Sequence, residues 1–342
     1  DQLRSYTAEV SKFVGVLPQQ SGRNSNGPYK DGQPTGAVTH YTASNMAVTK
    51  SRPFGRLPTL LNRFAPGGTQ KVGVQFIVWD RKEKRLAEIR ARYPLLKEIP
   101  GEVFFMGHEA FWHAGWFNNL SYGVEIRNIG KLLRDSKGRF YWFKGVRYYG
   151  RSPIAVGNSW WEPYTWQQMA ATLWIHRTMS SIYPIRPERF LGHLHISSTR
   201  IDPGVHFPIH EMREYALNKK DVPLDKVPFL EEFSGDPDIG NRADLHLDWP
   251  RISEHSLHKG LYRHDWDGVP DEFDKETGEL KGAQHIPEPD AAQERVWFNL
   301  RRLGYYVGDG PTSKEFIESV KLFQARWKKR KGRLWVQEIR PT

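Results

Sequence analysis

Four short runs rich in valine, isoleucine and aromatic residues, GAVTHYT (36–42), VGVQFIVWD (72–80), EVFFMG (102–107) and YGVEIRNIG (122–130), are separated by glycine or polar turns. Each reads as a strand. A helical segment follows: Thr165 with Gln168 three positions on forms a capping box, and Ala171, Ile175, Met179 and Ile182 recur at helical spacing until Pro184 stops the pattern. Strands alternating with helices over residues 1–217 limit this region to an α/β domain, a central sheet with helices packed on it.

The pattern changes after that. Residues 218–289 lose periodicity and fill with Asp, Pro and Gly, as in FSGDPDIGNRADLHLDWP, and read as an acidic irregular linker or insertion. Trp249, Leu257, Leu261, Tyr262 and Trp266 are too apolar for a bare tether, so part of it is expected to pack on a neighbouring domain. Residues 290–342 form a small helical unit. Val296, Leu300 and Leu303 share one face before Gly304 as a C-cap, and a second helix is expected to start from a Thr312–Glu315 box with Phe316, Val320 and Phe323 buried.

Charge follows the same division. Between Lys219 and Asp290 there are 18 acidic and 9 basic residues, a net of −9, so a chain of net charge +11 carries +20 elsewhere. That suits a polyanion such as nucleic acid, an anionic membrane or a carboxylate-bearing cell wall, and equally plain solubility. No apolar run reaches the ~18 residues of a membrane span, and the first residues lack the apolar core of a signal peptide.

With no cysteine in the chain, disulfides and thiolate ligands are excluded, and any metal must be held by imidazole and carboxylate. Candidates lie at strand edges. His40 ends the first strand, and LGHLHISSTRIDPG (191–204) supplies His193, His195, Arg200 and Asp202 within ten positions. Taken singly, His40 reads as readily as a structural histidine, and Asp202 as the start of an Asp-Pro-Gly turn. Their joint occurrence makes them a candidate site.

The motifs VTHYTAS, FWHAGWF, LSYGVEIRNIG and GHLHISSTRIDPG, in that order over residues 30–215, resemble the zinc-dependent N-acetylmuramoyl-L-alanine amidases, the type 2 amidases that share a fold with peptidoglycan-recognition proteins. The resemblance implies a mixed sheet with flanking helices and hydrolysis of the amide between N-acetylmuramic acid and L-alanine of the stem peptide. It implies zinc ligation by His40, His193 and Asp202, a catalytic Glu125, and Arg200 as the basic residue of the site. A carboxylate such as Glu125 can accept a proton from a metal-activated water and pass it to the leaving amine, and a cation at Arg200 can stabilise the developing oxyanion. The alternative for Glu125 is a salt bridge with Arg127.

His113 in WHAG falls on the family's cleft residue and is expected to contact substrate or shape the rim. His195, two residues from His193, would point the same way in a strand and is expected either to support the ligands from behind or to contact substrate in the cleft, with metal ligation and simple surface exposure as alternatives. Three features depart from the family: the His193–Asp202 spacing is one residue short, Arg200 stands where lysine is usual, and Val74 and Gln75 replace the tyrosine or histidine of the second strand. Residues 290–342 resemble a three-helix peptidoglycan-binding domain through VWFNLRRLGYYVGDGPTSKEFIESVKLFQ. A cell-envelope location, periplasmic or secreted, a monomer, and peptidoglycan or muropeptides as partner are therefore expected. The rivals are a non-catalytic recognition protein of the same fold and a nucleic-acid-binding protein; no nucleic-acid motif supports the second, so nucleic acid is not an expected partner.

Overall fold

The strand-forming runs become β1 (Gly36–Tyr41), β2 (Phe76–Trp79), β3 (Glu102–Phe105) and β4 (Ser121–Ile126) in a computed structural model. It describes residues 1–15, 25–43, 50, 57–64, 72–79, 86–99, 101–142, 145–156, 159–197, 199–231, 233 and 289–328. A second antiparallel sheet follows β4: β5 (Lys131–Arg134), β6 (Phe140–Trp142), β7 (Val146–Arg147), β8 (Ile154–Val156) and β9 (Ser159–Trp161). The chain returns to the first sheet as β10 (Phe190–Gly192), giving the order β10-β1-β4-β2-β3. All neighbours there run parallel except β2 and β3, so the sheet is mixed. Every residue of β1, β2 and β4 is buried, as expected where both faces of a parallel sheet are covered.

The helices are α1 (Gln2–Phe13), α2 (Leu57–Phe64), α3 (Ala87–Ala91), α4 (Pro94–Lys97), α5 (Trp166–Ile182), α6 (Ile209–Leu217), α7 (Pro228–Glu231), α8 (Pro289–Arg302) and α9 (Lys314–Lys328). In α5 both halves of the expected capping box form: Gln168 N donates to Thr165 Oγ1 at 3.2 Å and Thr165 N to Gln168 Oε1 at 3.0 Å. Met169, Leu173 and Ile175 are buried, and α5 packs on β2, β4 and α6. The edge strand β3 is covered by α1, from which Tyr6 bonds the fully buried Glu102 and Thr7 Oγ1 accepts from Phe105 N at 2.9 Å, while Arg90 of α3 donates to the same Glu102. Covering the edge in this way removes a row of unpaired backbone groups.

Packing continues beyond residue 217, where the irregular stretch was expected to begin. Val227, Phe229 and Leu230 are buried, and Trp166 N donates to Phe233 O at 3.2 Å. Apolar spacing in VPFLEEF anchors these residues; Trp249, Leu257, Leu261, Tyr262 and Trp266 lie outside the described residues. In the C-terminal unit, Gly304 adopts the expected left-handed cap with φ +91°. The second cap shifts by one residue: Ser313 Oγ accepts from Phe316 N at 3.0 Å, so Ser313, not Thr312, starts α9. Its hydroxyl also donates to Val307 O at 2.7 Å, which holds it at the helix start. Two helices of this unit lie among the described residues, and Leu300, Leu303, Tyr305, Phe316 and Phe323 join the same continuous apolar core as the sheet.

Candidate metal centre and catalytic cleft

Three sequence-distant donors converge at one end of β1. His40 lies near the C-terminal end of that strand, His193 follows β10 directly, and Asp202 sits on the turn after it. His40 Nδ1, His193 Nδ1 and Asp202 Oδ2 lie 3.0 Å from one another, pair by pair. They form the one His/Asp/Glu group among the described residues able to hold a metal. Donors on ~2.0 Å bonds around a tetrahedral ion sit about 3.3 Å apart, so the set fits zinc, with two imidazoles and one carboxylate as its ligands.

The turn carrying Asp202 is held on both sides. Leu194 N donates to Asp202 O at 2.7 Å, and Tyr164 Oη donates to Pro203 O at 2.6 Å. A Cβ at Gly192 would come within 2.5 Å of Pro203 Cδ, so glycine is what lets the two segments meet. Burial drives His40 down to about 4, helped by His193 and opposed by Asp202, which keeps the ring neutral and its lone pair free. Burial would raise Asp202, yet His193 and His40 outweigh it and hold the carboxyl far below its usual range.

His113 sets which nitrogen of His40 is free. Its Nε2 lies 3.1 Å from Ser121 O, which can only accept, so Nε2 carries the proton and Nδ1 accepts. His40 Nε2–H then donates to His113 Nδ1 at 3.1 Å, leaving His40 Nδ1 unprotonated towards the cluster. Both ring nitrogens of the half-buried His113 are thus engaged, one of them in orienting His40. Its loop is pinned by buried Asn118, whose Oδ1 accepts from His113 N at 2.9 Å and Ala114 N at 2.6 Å. Gly123 makes room for the ring, since a Cβ there would stand 3.0 Å from His113 Nδ1. Trp112 and Trp116, beside it in sequence, are 40% and 38% exposed.

Glu125 is the register partner of His40 on the parallel neighbour β4 and is buried. Paired residues on adjacent strands face the same side of a sheet, so its carboxylate shares the cluster's face. Arg127, the alternative partner considered for it, is ion-paired with fully buried Glu162. Arg200 is exposed, and its charge reaches His40. At the second-strand position where a tyrosine is missing, Gln75 is a buried bridge: its Nε2 donates to Tyr29 Oη at 2.8 Å and its Oε1 accepts from Gly123 N at 2.5 Å. Gln75 stood out in the sequence only as a departure from the family, and Asn118 and Tyr164 not at all, because a structural amide or phenol leaves no local pattern.

His195 takes another direction from the one expected. Residues His193–His195 form a 3₁₀ turn, not a strand, so residues two apart diverge. Its ring is 1% exposed, with Nδ1 2.9 Å from Gly192 N and Nε2 2.8 Å from Leu303 O, so it faces the C-terminal helices and is unavailable to substrate.

No curated protein matches the chain. Similar solved structures include AmpDh3 from Pseudomonas aeruginosa in complex with anhydromuramic pentapeptide, 17% identical over 71% of this chain and 89% of that one, TM-score 0.35. The N-acetylmuramyl-L-alanine amidase AmiD from E. coli, in complex with anhydro-N-acetylmuramic acid-L-Ala-D-gamma-Glu-L-Lys, is 16% identical over 89% of this chain and 93% of that one, TM-score 0.37. The Amidase_2 family model, N-acetylmuramoyl-L-alanine amidase, matches residues 30–205, just over half of the chain. Because the converging donors and Glu125 all fall inside that match, the likeness spans the chemistry as well as the sheet, and the chain belongs to the N-acetylmuramoyl-L-alanine amidase family.

Proposed function

We propose that the protein is a zinc hydrolase that cleaves the amide between the lactyl group of N-acetylmuramic acid and L-alanine of the stem peptide, in peptidoglycan or its soluble muropeptides. The supporting observation is the triangle of His40, His193 and Asp202 donors 3.0 Å apart. A zinc ion held by these three supplies a Lewis acid and brings the pKa of a bound water towards neutrality. Glu125 takes the proton of the attacking water and returns it to the amine nitrogen, which must leave protonated because an amine anion is a poor leaving group. Arg200 donates to the carbonyl oxygen as charge builds on it, with the planar head of a guanidinium in place of a point charge. His113 holds the tautomer of His40 throughout.

Digestion of purified peptidoglycan, with mass analysis of the fragments, tests this. Products should separate at the lactyl–alanine bond, chelation should abolish their formation and zinc should restore it. Full activity after exhaustive chelation would remove the metal from the mechanism. Intact peptidoglycan after treatment with zinc-loaded protein would leave a recognition protein of the same fold.

The C-terminal helices are proposed to belong to a three-helix peptidoglycan-binding domain that raises local substrate concentration by tethering. What supports this is their amphipathic pattern around GYYVGDG and a cavity of about 710 Å³ between them and α6, lined by Trp297, Tyr306, Arg301, Glu214 and Asn218 among others. Aromatic faces interleaved with charge suit a sugar–peptide polymer. Action in the cell envelope, where peptidoglycan lies, is proposed with the same substrate, and no described helix is long and apolar enough to cross a membrane.

A further inference from the structure

The turn that carries His193 is fastened from outside its own domain. His195 Nδ1 accepts from Gly192 N at 2.9 Å, closing the turn on itself, and its Nε2–H donates to Leu303 O at 2.8 Å. Tyr305 answers from the other side: its hydroxyl donates to His195 O at 2.8 Å and its ring meets the His195 ring edge-on at 4.9 Å. Both side chains are buried, His195 to 1% and Tyr305 to 0% exposure. Leu194, between the two histidines, donates its backbone N–H to Asp202 O at 2.7 Å, so one short turn links two of the three donors.

The wider contact has a physical logic. A helix leaves its last carbonyls without partners, and they form the negative end of its dipole. At and just past the end of α8, carbonyls are met by donors from the first domain: Arg301 O, which also accepts from Gly304 N at 2.9 Å, by His210 Nε2 at 2.8 Å, Leu303 O by His195, and Gly304 O by Arg213 Nη2 at 2.7 Å. The same Arg213 nitrogen donates to Phe190 O at 2.9 Å, at the start of the strand that leads into His193. The C-terminal unit therefore grips β10 and the ligand turn, not a remote surface.

We infer that Tyr305 and His195 are positioning residues for the metal centre, through which the C-terminal unit holds the His193–His195 turn in its ligating conformation. The inference rests on the reading of His40, His193 and Asp202 as a zinc site. Supporting groups outside the ligand shell commonly change metal affinity ten- to a hundredfold, and a turn with its clamp removed must be ordered at the expense of binding. Tyr305 and His195 touch neither substrate nor the reacting atoms; they act through His193 and Asp202.

The test uses the full chain and zinc itself, with affinity measured by competition against a chromophoric chelator. Tyr305→Phe keeps the ring and removes one hydrogen bond; it should bind zinc about tenfold more weakly, with faster hydrogen exchange at the Leu194 amide. His195→Ala should weaken zinc by a similar factor, and His195→Gln, whose amide can still donate to Leu303 O, should recover part of it. Zinc affinity within twofold of wild type in both Tyr305→Phe and His195→Ala, whatever happens to their melting temperatures, would overturn the inference and give the contact a purely structural role. Wild-type protein that fails to bind zinc would give a different result, overturning the metal site itself and the positioning role with it.

Discussion

The neutral tautomer of His40 decides whether three side chains make a metal site or a hydrogen-bonded cluster, and it is set by the side chain behind that ligand, His113. His113→Phe, which fills a similar space without an acceptor, should therefore weaken zinc binding by roughly tenfold or more, as loss of a ligand-orienting partner does. Glu125→Gln should behave in the opposite way, retaining stoichiometric zinc and losing about a hundredfold in turnover, the scale of a general base. Metal analysis and steady-state rates on both variants separate the roles; near wild-type turnover in Glu125→Gln would place the base elsewhere. His40, His193 and Asp202 were legible as a ligand set through the four ordered motifs that resemble the amidase family, since singly each reads as readily as a structural residue. The partners of His113 and His195 were not, since both depend on which donor or acceptor the fold brings to each ring nitrogen.

Elements locate these side chains by burying the sheet on both faces, and one buried histidine makes that packing sensitive to acid. On α5, His176 sits between β1 and β4, with Nε2 3.2 Å from Thr39 Oγ1 and Nδ1 accepting from Tyr122 Oη at 2.7 Å. Burial pushes it from 6.5 down to about 3. Above pH 6.5 the ring is neutral in both the folded and the unfolded chain, and its contribution to stability is complete. Between pH 6.5 and about 3 the unfolded chain binds a proton that the folded one refuses, so stability falls as pH falls. The slope from this one group approaches about 1.4 kcal/mol per pH unit. Urea unfolding of wild type and His176→Gln across that range should show a flatter pH dependence in the variant, and equal slopes would assign the acid sensitivity to other groups. At this scale four strands of the main sheet and the capping box of α5 could be read in advance, because alternation and cap chemistry are local; β10 and the short strands of the second sheet were not read, and the start of α9 was misplaced by one residue because two adjacent hydroxyls compete for one cap.

In the whole molecule the C-terminal helices share the core of the amidase domain, which alters what their removal should do. Read from sequence, residues 290–342 form a unit separable from the zinc site. In the structure, ending the chain before α8 strips the acceptors from His195, His210 and Arg213 and takes Leu303 and Tyr305 out of the apolar core. The truncated protein should melt roughly 5 °C or more below the full chain, a loss of a few kcal/mol at this size. It should also turn over soluble muropeptides more slowly, as well as insoluble sacculi. Thermal melts and rates on both substrates check this; an unchanged rate on the soluble substrate, with loss confined to sacculi, would return the helices to a tethering role alone.

The sequence by itself determined four of the five strands of the main sheet, the cap that starts α5 and the absence of thiolate chemistry. Each of these is settled by residue type and short-range spacing, where the physical cause lies within a few positions of the effect. Tertiary structure alone decided that His40 meets His193 and Asp202 across 153 and 162 positions, that His113 faces His40 across 73 positions, that Arg127 pairs with Glu162, and that His195 turns to Leu303 across 108 positions. A ring nitrogen or a guanidinium bonds to whatever partner the fold brings within about 3 Å, and that partner is chosen by the packing of segments far apart in the chain.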